Sequence, residues 1–347
     1  MKKQRKTQAT RAVTGGVETL LKSLTSGKGG KNAPKQKLLL FVAAIVLLAV
    51  AVVYLNDRFF NLSFIPKWHE LYETFGLDDE ATAALTDGEI AVHFIDVGQG
   101  DCALILAGET SILIDGGESS ASSDVIRYLN GLDLDTLDMV VASHPHSDHI
   151  GSLSKVIDEF GTETLLMPKL TEKMIPVTRS YERLIESAEK CGAVLEYAEV
   201  GARYELTTGC YLDILSPVKD YDDLNNYSIL AKLTYGQNSF LFTGDIEQKA
   251  ERDIYDSGAE LSADVIKVAH HGSSTSSLRA FIQAVSPDYA VISVGSPNDY
   301  GHPHKETVEL LDLLGITVYR TDLDGNIVWT SDGETLSVAT SKAREAA

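Results

Sequence analysis

Cysteine is scarce in this 347-residue chain, and the three present, Cys102, Cys191 and Cys210, form no CxxC pair and match no zinc spacing. A thiolate metal site is thereby excluded. Cys102 lies in the apolar stretch DCALILAG and reads as core, while a bridge between Cys191 and Cys210 stays open for a domain in an oxidising compartment. Proline-rich linkers, short repeats and low-complexity tracts are missing after residue 88. One domain of about 250 residues is the economical organisation. No Ser-His-Asp or Cys-His pattern offers a side-chain nucleophile.

Positive charge is also scarce outside one segment. The first 37 residues hold ten Lys or Arg against Glu18 alone, a net +9; the rest keeps 20 basic against 49 acidic residues, a net -29. Lys232, Lys267 and Lys305 are scattered and make no basic stripe. A long duplex would meet repulsion over most of this chain, so short or single-stranded polyanions are the better-matched substrates.

One long apolar run is present: LLLFVAAIVLLAVAVVYL, residues 38–55, has no charge and no helix breaker. As a helix it would span roughly 27 Å, enough for a membrane core. The basic stretch before it fits the positive-inside rule better than a nucleic-acid arm, and Tyr54-Leu55-Asn56-Asp57 offers no clean signal-peptidase site. The reading is a basic cytoplasmic tail (1–37), a single transmembrane helix (38–55), a juxtamembrane connector (56–88) and an outward-facing catalytic domain (89–347) at the cell membrane.

From Glu89 the texture becomes short β-branched runs, EIAVHFIDVG, CALILAG and TSILIDGG, followed by the helix-like SSDVIRYLNGL and the strand-like LDMVVASH. The later half repeats the scheme with YSILAKLTYG, NSFLFTGD, EQKAERDIYDSG, DVIKVAHH, SSLRAFIQAV, YAVISVG and KETVELLDLLG, then closes with TVYRTD and NIVWT. A chain that twice lays down antiparallel strands and then strand-helix pairs predicts an α/β fold, an αββα sandwich with helices outside two facing sheets.

His144, His146, Asp148 and His149 fall within six positions directly after a buried-strand pattern. In extended chain, positions two apart point the same way, so His144 and His146 reach one ion; Asp148 and His149 open the helix-like DHIGSLSKVIDEF and aim at a second point. A solvated His-rich loop does not account for four ligand-type residues there.

This HxHxDH pattern resembles the metallo-β-lactamase fold hydrolases, and two further stretches support it. SILIDGG is similar to the early Asp-Gly motif of that family, which implies a supporting role for Asp115 beneath the site. FLFTGD and VIKVAHHGS are similar to its later motifs and imply metal ligands at Asp245 and His271. Within the family, HFIDVGQGDCALI, SHPHSDHIGSL, NNYSIL, FLFTGDIE, DVIKVAHHGSSTSS and NDYGHPH resemble the hydrolase domain of ComEC-like competence proteins. The multi-span channel of those proteins has no counterpart here.

Where many relatives carry a third histidine for the first ion, this chain has Asn225 and Asn226, weaker ligands than imidazole. The resemblance puts His302 on the active-site rim, where it would touch substrate or leaving group beside the catalytic Asp148, with His304 close by. Ser273 and Ser274 could hold a phosphate oxygen or merely cap a helix. Asp96, Gln99 and Asp101 read as a structural turn. Two divalent ions, zinc or manganese, would lower the pKa of a bridging water and stabilise developing negative charge, which suits phosphodiester hydrolysis. The resemblance implies a nuclease acting on DNA outside the cell; the alternatives are a hydrolase of teichoic-acid phosphoesters, a true β-lactamase and a metal-free surface binding module. No protein partner is inferable.

Overall fold

The computed structural model describes residues 42–45, 48–53 and 88–342. The chain divides into two units, Met1–Asp78 and Asp79–Ala347. In the first, 42–45 and 48–53 are helical. No helix among the described residues is long and apolar enough to cross a membrane. The expected span over 38–55 otherwise falls outside those residues, as do the tail and nearly all of the connector.

In the second unit, strands β1 (Ile90–Phe94), β2 (Ala103–Ala107) and β3 (Thr110–Ile114) form an antiparallel meander, followed by helix α1 (Ser122–Gly131) and strand β4 (Leu137–Val141), which pairs parallel to β3. Helices α2 (Ser147–Ile150) and α3 (Leu153–Phe160) lead to β5 (Thr162–Met167), and α4 (Arg179–Cys191) leads to β6 (Val194–Tyr197). The second half repeats this order. Strands β7 (Arg203–Thr207), β8 (Cys210–Ile214), β9 (Ala231–Tyr235) and β10 (Asn238–Phe242) are antiparallel; α5 (Gln248–Asp256), β11 (Val265–Lys267), α6 (Arg279–Val285), β12 (Tyr289–Ile292), α7 (Lys305–Leu313) and β13 (Thr317–Arg320) continue in parallel. After a single turn, α8 (Thr321–Asp324), strands β14 (Ile327–Ser331) and β15 (Leu336–Thr340) return to lie beside β1. The sheets run β15-β14-β1-β2-β3-β4-β5-β6 and β13-β12-β11-β10-β9-β8-β7.

Side-chain period explains the layering. In β3, Ile112 and Ile114 point into the space between the sheets while Leu113 points out beneath the helices; in β10, Phe240 and Phe242 point in and Leu241 out. The central layer, with Phe94, Val141, Leu233, Phe240 and Trp329, glues sheet to sheet. Leu153, Val156, Ile157 and Phe160 make one face of α3 and bury it on the first sheet, whereas Phe281 and Ile282 of α6 cover the second. The expected αββα sandwich is the observed architecture.

Some expectations are corrected. DHIGSLSKVIDEF is two helices, because the chain breaks at Gly151, where a Cβ would collide with the backbone of Ser147 and Ser119. The sequence reading leaves the β15 strand and most of the segment from β5 to β8 unassigned: β6 is largely exposed and lacks alternation, and β7 buries only Leu206 fully. The Cys191–Cys210 bridge does not form: Cys191 ends α4, Cys210 is buried between the sheets, and all three thiols are free.

The layout also fixes where chemistry can happen. Segments following the C-terminal ends of β3, β4, β10 and β11 carry Asp115, His144 to His149, Asp245 and His271 in turn, and the long loop after β12 carries His302. Loops leaving parallel neighbours from the same edge necessarily converge.

Candidate metal centre

After β4 the chain bends over Ser143, His144 and Pro145 rather than running straight, is extended at His146 (φ -78, ψ 153), and then winds into α2. His144 Nε2 and His146 Nδ1 consequently face each other at 3.0 Å. The first turn of α2 adds Asp148 and His149 to the same cluster. The His149 ring lies 4.1 Å from that of His144, centroid to centroid.

The other sheet supplies the remaining groups. The backbone amide of Asp245 donates to Ser228 Oγ at 3.0 Å, which sets the turn after β10. Its Oδ2 then lies 3.2 Å from His149 Nε2, 3.5 Å from His271 Nε2 and 3.9 Å from His144 Nε2. His271 Nε2 is also 3.3 Å from Asp148 Oδ2. One ligand atom from each of Asp148, His149, Asp245 and His271 lies within 4.8 Å of the others. His271 reaches this position through three consecutive left-handed residues, His270 (φ 52), His271 (φ 53) and Gly272 (φ 80). For the two histidines that conformation costs about 1–3 kcal/mol each, strain characteristic of functional sites.

A second layer orients the rings. Asp115 accepts from the backbone amide of Ser143 (2.8 Å) and from its hydroxyl (2.6 Å), and stands 2.8 Å from His149 Nδ1. With Nδ1–H donated to that carboxylate, His149 presents a free Nε2 toward Asp245. His271 Nδ1 donates to the Ser293 carbonyl at 2.9 Å, which likewise frees Nε2. Behind it, Asp101 lies 3.2 Å from His271 Nδ1 and 2.5 Å from the ammonium of Lys267, both side chains buried.

Asp101 and Lys267 add to the sequence reading, which made the first a turn residue and counted the second only as scattered positive charge. Their pairing joins the turn after β1 to strand β11, across the sandwich, and no local pattern signals it. His270 was also overlooked; its Nε2 is 3.8 Å from Asp245 Oδ2.

Electrostatics follow from burial and crowding. Burial alone would lower His271, yet the carboxylates of Asp245 and Asp101 outweigh it and raise the group to about 9. His149 is raised for the same reason, with Asp245 and Asp115 overcoming burial. Burial and the neighbouring His149 drive His144 well below the usual range. Burial opposes ionisation of Asp245, but His149 and His271 hold it well below the usual carboxylate range. The cluster is thus an anionic pocket that takes up protons where cations would sit.

The remaining predicted residues divide. Asn226 Oδ1 accepts from the amides of Glu247 (3.1 Å) and Ala250 (3.2 Å), so it caps the start of α5 and is occupied. Asn225 Oδ1, by contrast, is buried with no hydrogen-bond partner. Ser273 Oγ accepts from the amide of Thr275 at 3.2 Å in a local turn. The amide of Ser274 donates to His304 Nδ1 at 2.8 Å, tying that loop to the start of α7. Structural turns therefore account for Ser273, Ser274 and His304. His302 is half-buried, its ring 6.2 Å from that of His271. Burial and the neighbouring His271, His270 and His304 lower it to about 4.

The donor set fits divalent cations. His149 Nε2, His271 Nε2 and Asp245 Oδ1 are buried without hydrogen-bond partners, an expensive arrangement unless something else satisfies them. Imidazole and carboxylate together suit zinc or manganese.

Residues 95–296 match the metallo-beta-lactamase superfamily, and the chain belongs to it. It is 31% identical over 261 residues to ComE operon protein 3 of Bacillus subtilis (strain 168), covering 70% of this chain and 33% of that protein. It is 32% identical over 248 residues to competence protein ComA of Neisseria gonorrhoeae, covering 70% and 32%. The chain thus spans about a third of the length of these relatives. Among solved structures, the metallo-beta-lactamase fold protein YhfI from Bacillus subtilis aligns with a TM-score of 0.48 at 14% identity, covering 70% of this chain and 100% of that one.

Proposed function

We propose that this chain is a metal-dependent phosphodiesterase that hydrolyses short or single-stranded nucleic acid. The observation that carries the reading is the convergence of Asp148, His149, Asp245 and His271, drawn from both sheets, within 4.8 Å. Similarity to proteins named for competence supports DNA as the substrate, and the acidic surface favours short or single strands over long duplex. In this reading Asp148, His149, Asp245 and His271 would hold one divalent cation, and His144 and His146, with Asp245 nearby, would hold a second. When bound, such ions acidify a water for attack and offset the charge that builds on the phosphate. Asp115 and Ser293 keep the His149 and His271 rings aimed. His302 borders the opening, where it contacts the phosphodiester or the departing oxygen. Asn225, whose Oδ1 is buried without a partner, would be the group available to the cation at His144 and His146, where an imidazole is missing.

The test incubates the purified full chain with single-stranded DNA and manganese or zinc beside a His146→Ala variant. Cleavage by the wild type alone is expected; equal cleavage by both refutes the reading. Release of phosphorylcholine or glycerol phosphate from teichoic acid, with DNA untouched, would move the activity to wall phosphoesters. A metal content below one ion per chain would favour a binding module. We further propose that residues 38–55 anchor the chain with the catalytic unit outside; protease added to intact cells should then remove that unit, and full protection would reverse the topology.

A further inference from the structure

A row of rings leads out of the metal centre. The His149 and His271 centroids are 5.4 Å apart with planes at 38°, His271 and His302 are 6.2 Å apart at 31°, and His302 and Tyr300 are 5.6 Å apart at 21°. The last pair is stacked, and Tyr300 is 63% exposed. His270 and His304 meet the His302 ring edge-on, at 74° and 89°, and so hold its face parallel to Tyr300.

The loop presenting Tyr300 is fixed rather than slack. Asn298 uses its whole amide on it: Nδ2 donates to the carbonyls of Gly295 and His302, both at 2.7 Å, and Oδ1 accepts from the amides of Tyr300 (3.2 Å) and His302 (3.0 Å). A large aromatic side chain is therefore held toward solvent at the end of a row of rings that starts at His149. Preorganisation of this kind lowers the entropic cost of binding a flat ligand. The preceding residue, Asp299, is acidic and offers a phosphate no grip.

We infer that Tyr300 is a nucleobase subsite: the base next to the scissile phosphodiester stacks on its open face, in line with His302. This rests on the phosphodiesterase reading above and names how substrate is held where positive charge is lacking. A single open face suits a planar base; a quaternary ammonium group calls for a cage of several rings.

The test uses the full chain as wild type, Tyr300→Phe and Tyr300→Ala. Substrates are a short single-stranded DNA bearing 2-aminopurine beside its one cleavable linkage, and a matched strand abasic at that position. Tyr300→Ala is expected to raise KM for the base-bearing strand by about 5-fold to 100-fold, the scale of one base stack. Its kcat should be little changed and its KM for the abasic strand unaltered, while Tyr300→Phe behaves as wild type. The fluorescence of 2-aminopurine should be quenched by wild type and Tyr300→Phe but not by Tyr300→Ala. An equal KM rise on both strands, or none on either, overturns the subsite. If the wild type cleaves neither strand, the parent reading fails, and fluorescence alone decides the stacking: an unquenched probe overturns it.

Discussion

Two sets of histidines titrate in opposite directions, and this gives the metal-free protein a bounded range of stability. His271 is raised to about 9, so its contribution is complete below the ordinary histidine value near 6.5 and is lost as pH climbs through 9. His93, buried beneath α1 with Nδ1 2.8 Å from Tyr128 Oη, is lowered by burial to about 4, as is His302. Those two favour the folded state above about 6.5, and that stability is lost as pH falls from there toward 4. The melting temperature in chelator should therefore peak near pH 6.5. Saturating zinc, which competes with the proton on His271, should remove the alkaline decline; calorimetry across pH 4 to 10 with and without metal checks both limbs. A second expectation concerns Asp115, whose carboxylate serves Ser143 and His149 together. Asp115→Asn should weaken metal binding by about 10-fold to 100-fold with the circular dichroism unchanged, measured by competition against a chromophoric chelator.

At the scale of elements, the site depends on close backbone approach. Gly100 has φ 138, and a Cβ there would collide with the carbonyl of Asp148 in α2. Gly100→Ala should thus push α2 outward, costing about 1–3 kcal/mol in denaturant unfolding and lowering bound metal per chain. Much of this was legible beforehand. His144 to His149 are contiguous behind a buried-strand pattern and mark themselves, whereas Asp115, Asp245 and His271 are found only through the likeness of SILIDGG, FLFTGD and VIKVAHHGS to family motifs, since a lone carboxylate or imidazole at a strand end is common. The Asp101–Lys267 pair was not legible, because its two members are brought together only by packing across the sandwich. Asn226 was misjudged for a related reason: an amide that caps α5 and one that faces a cation look alike until the helix start is known. Strand β6 escapes notice because it is largely exposed on both faces and so lacks the alternation that marks others.

For the whole molecule, charge decides what approaches. The net charge is -20, and the part beyond residue 37 is more acidic still. Binding of a polyanion should owe little to counterion release, so log affinity for single-stranded DNA should fall with log salt on a slope shallower than about -2. A filter-binding titration between 50 and 200 mM salt checks this; a slope near -6 would mean a basic track that the sequence conceals.

The ligand atoms belong to both layers of the sandwich, Asp148 and His149 hanging from the first sheet and Asp245 and His271 from the second. An ion seated among them would be a rivet through the seam as well as a reagent. Losing it would loosen the two leaves at that rim, so the fold's endurance and the proposed chemistry would fail together when metal runs short.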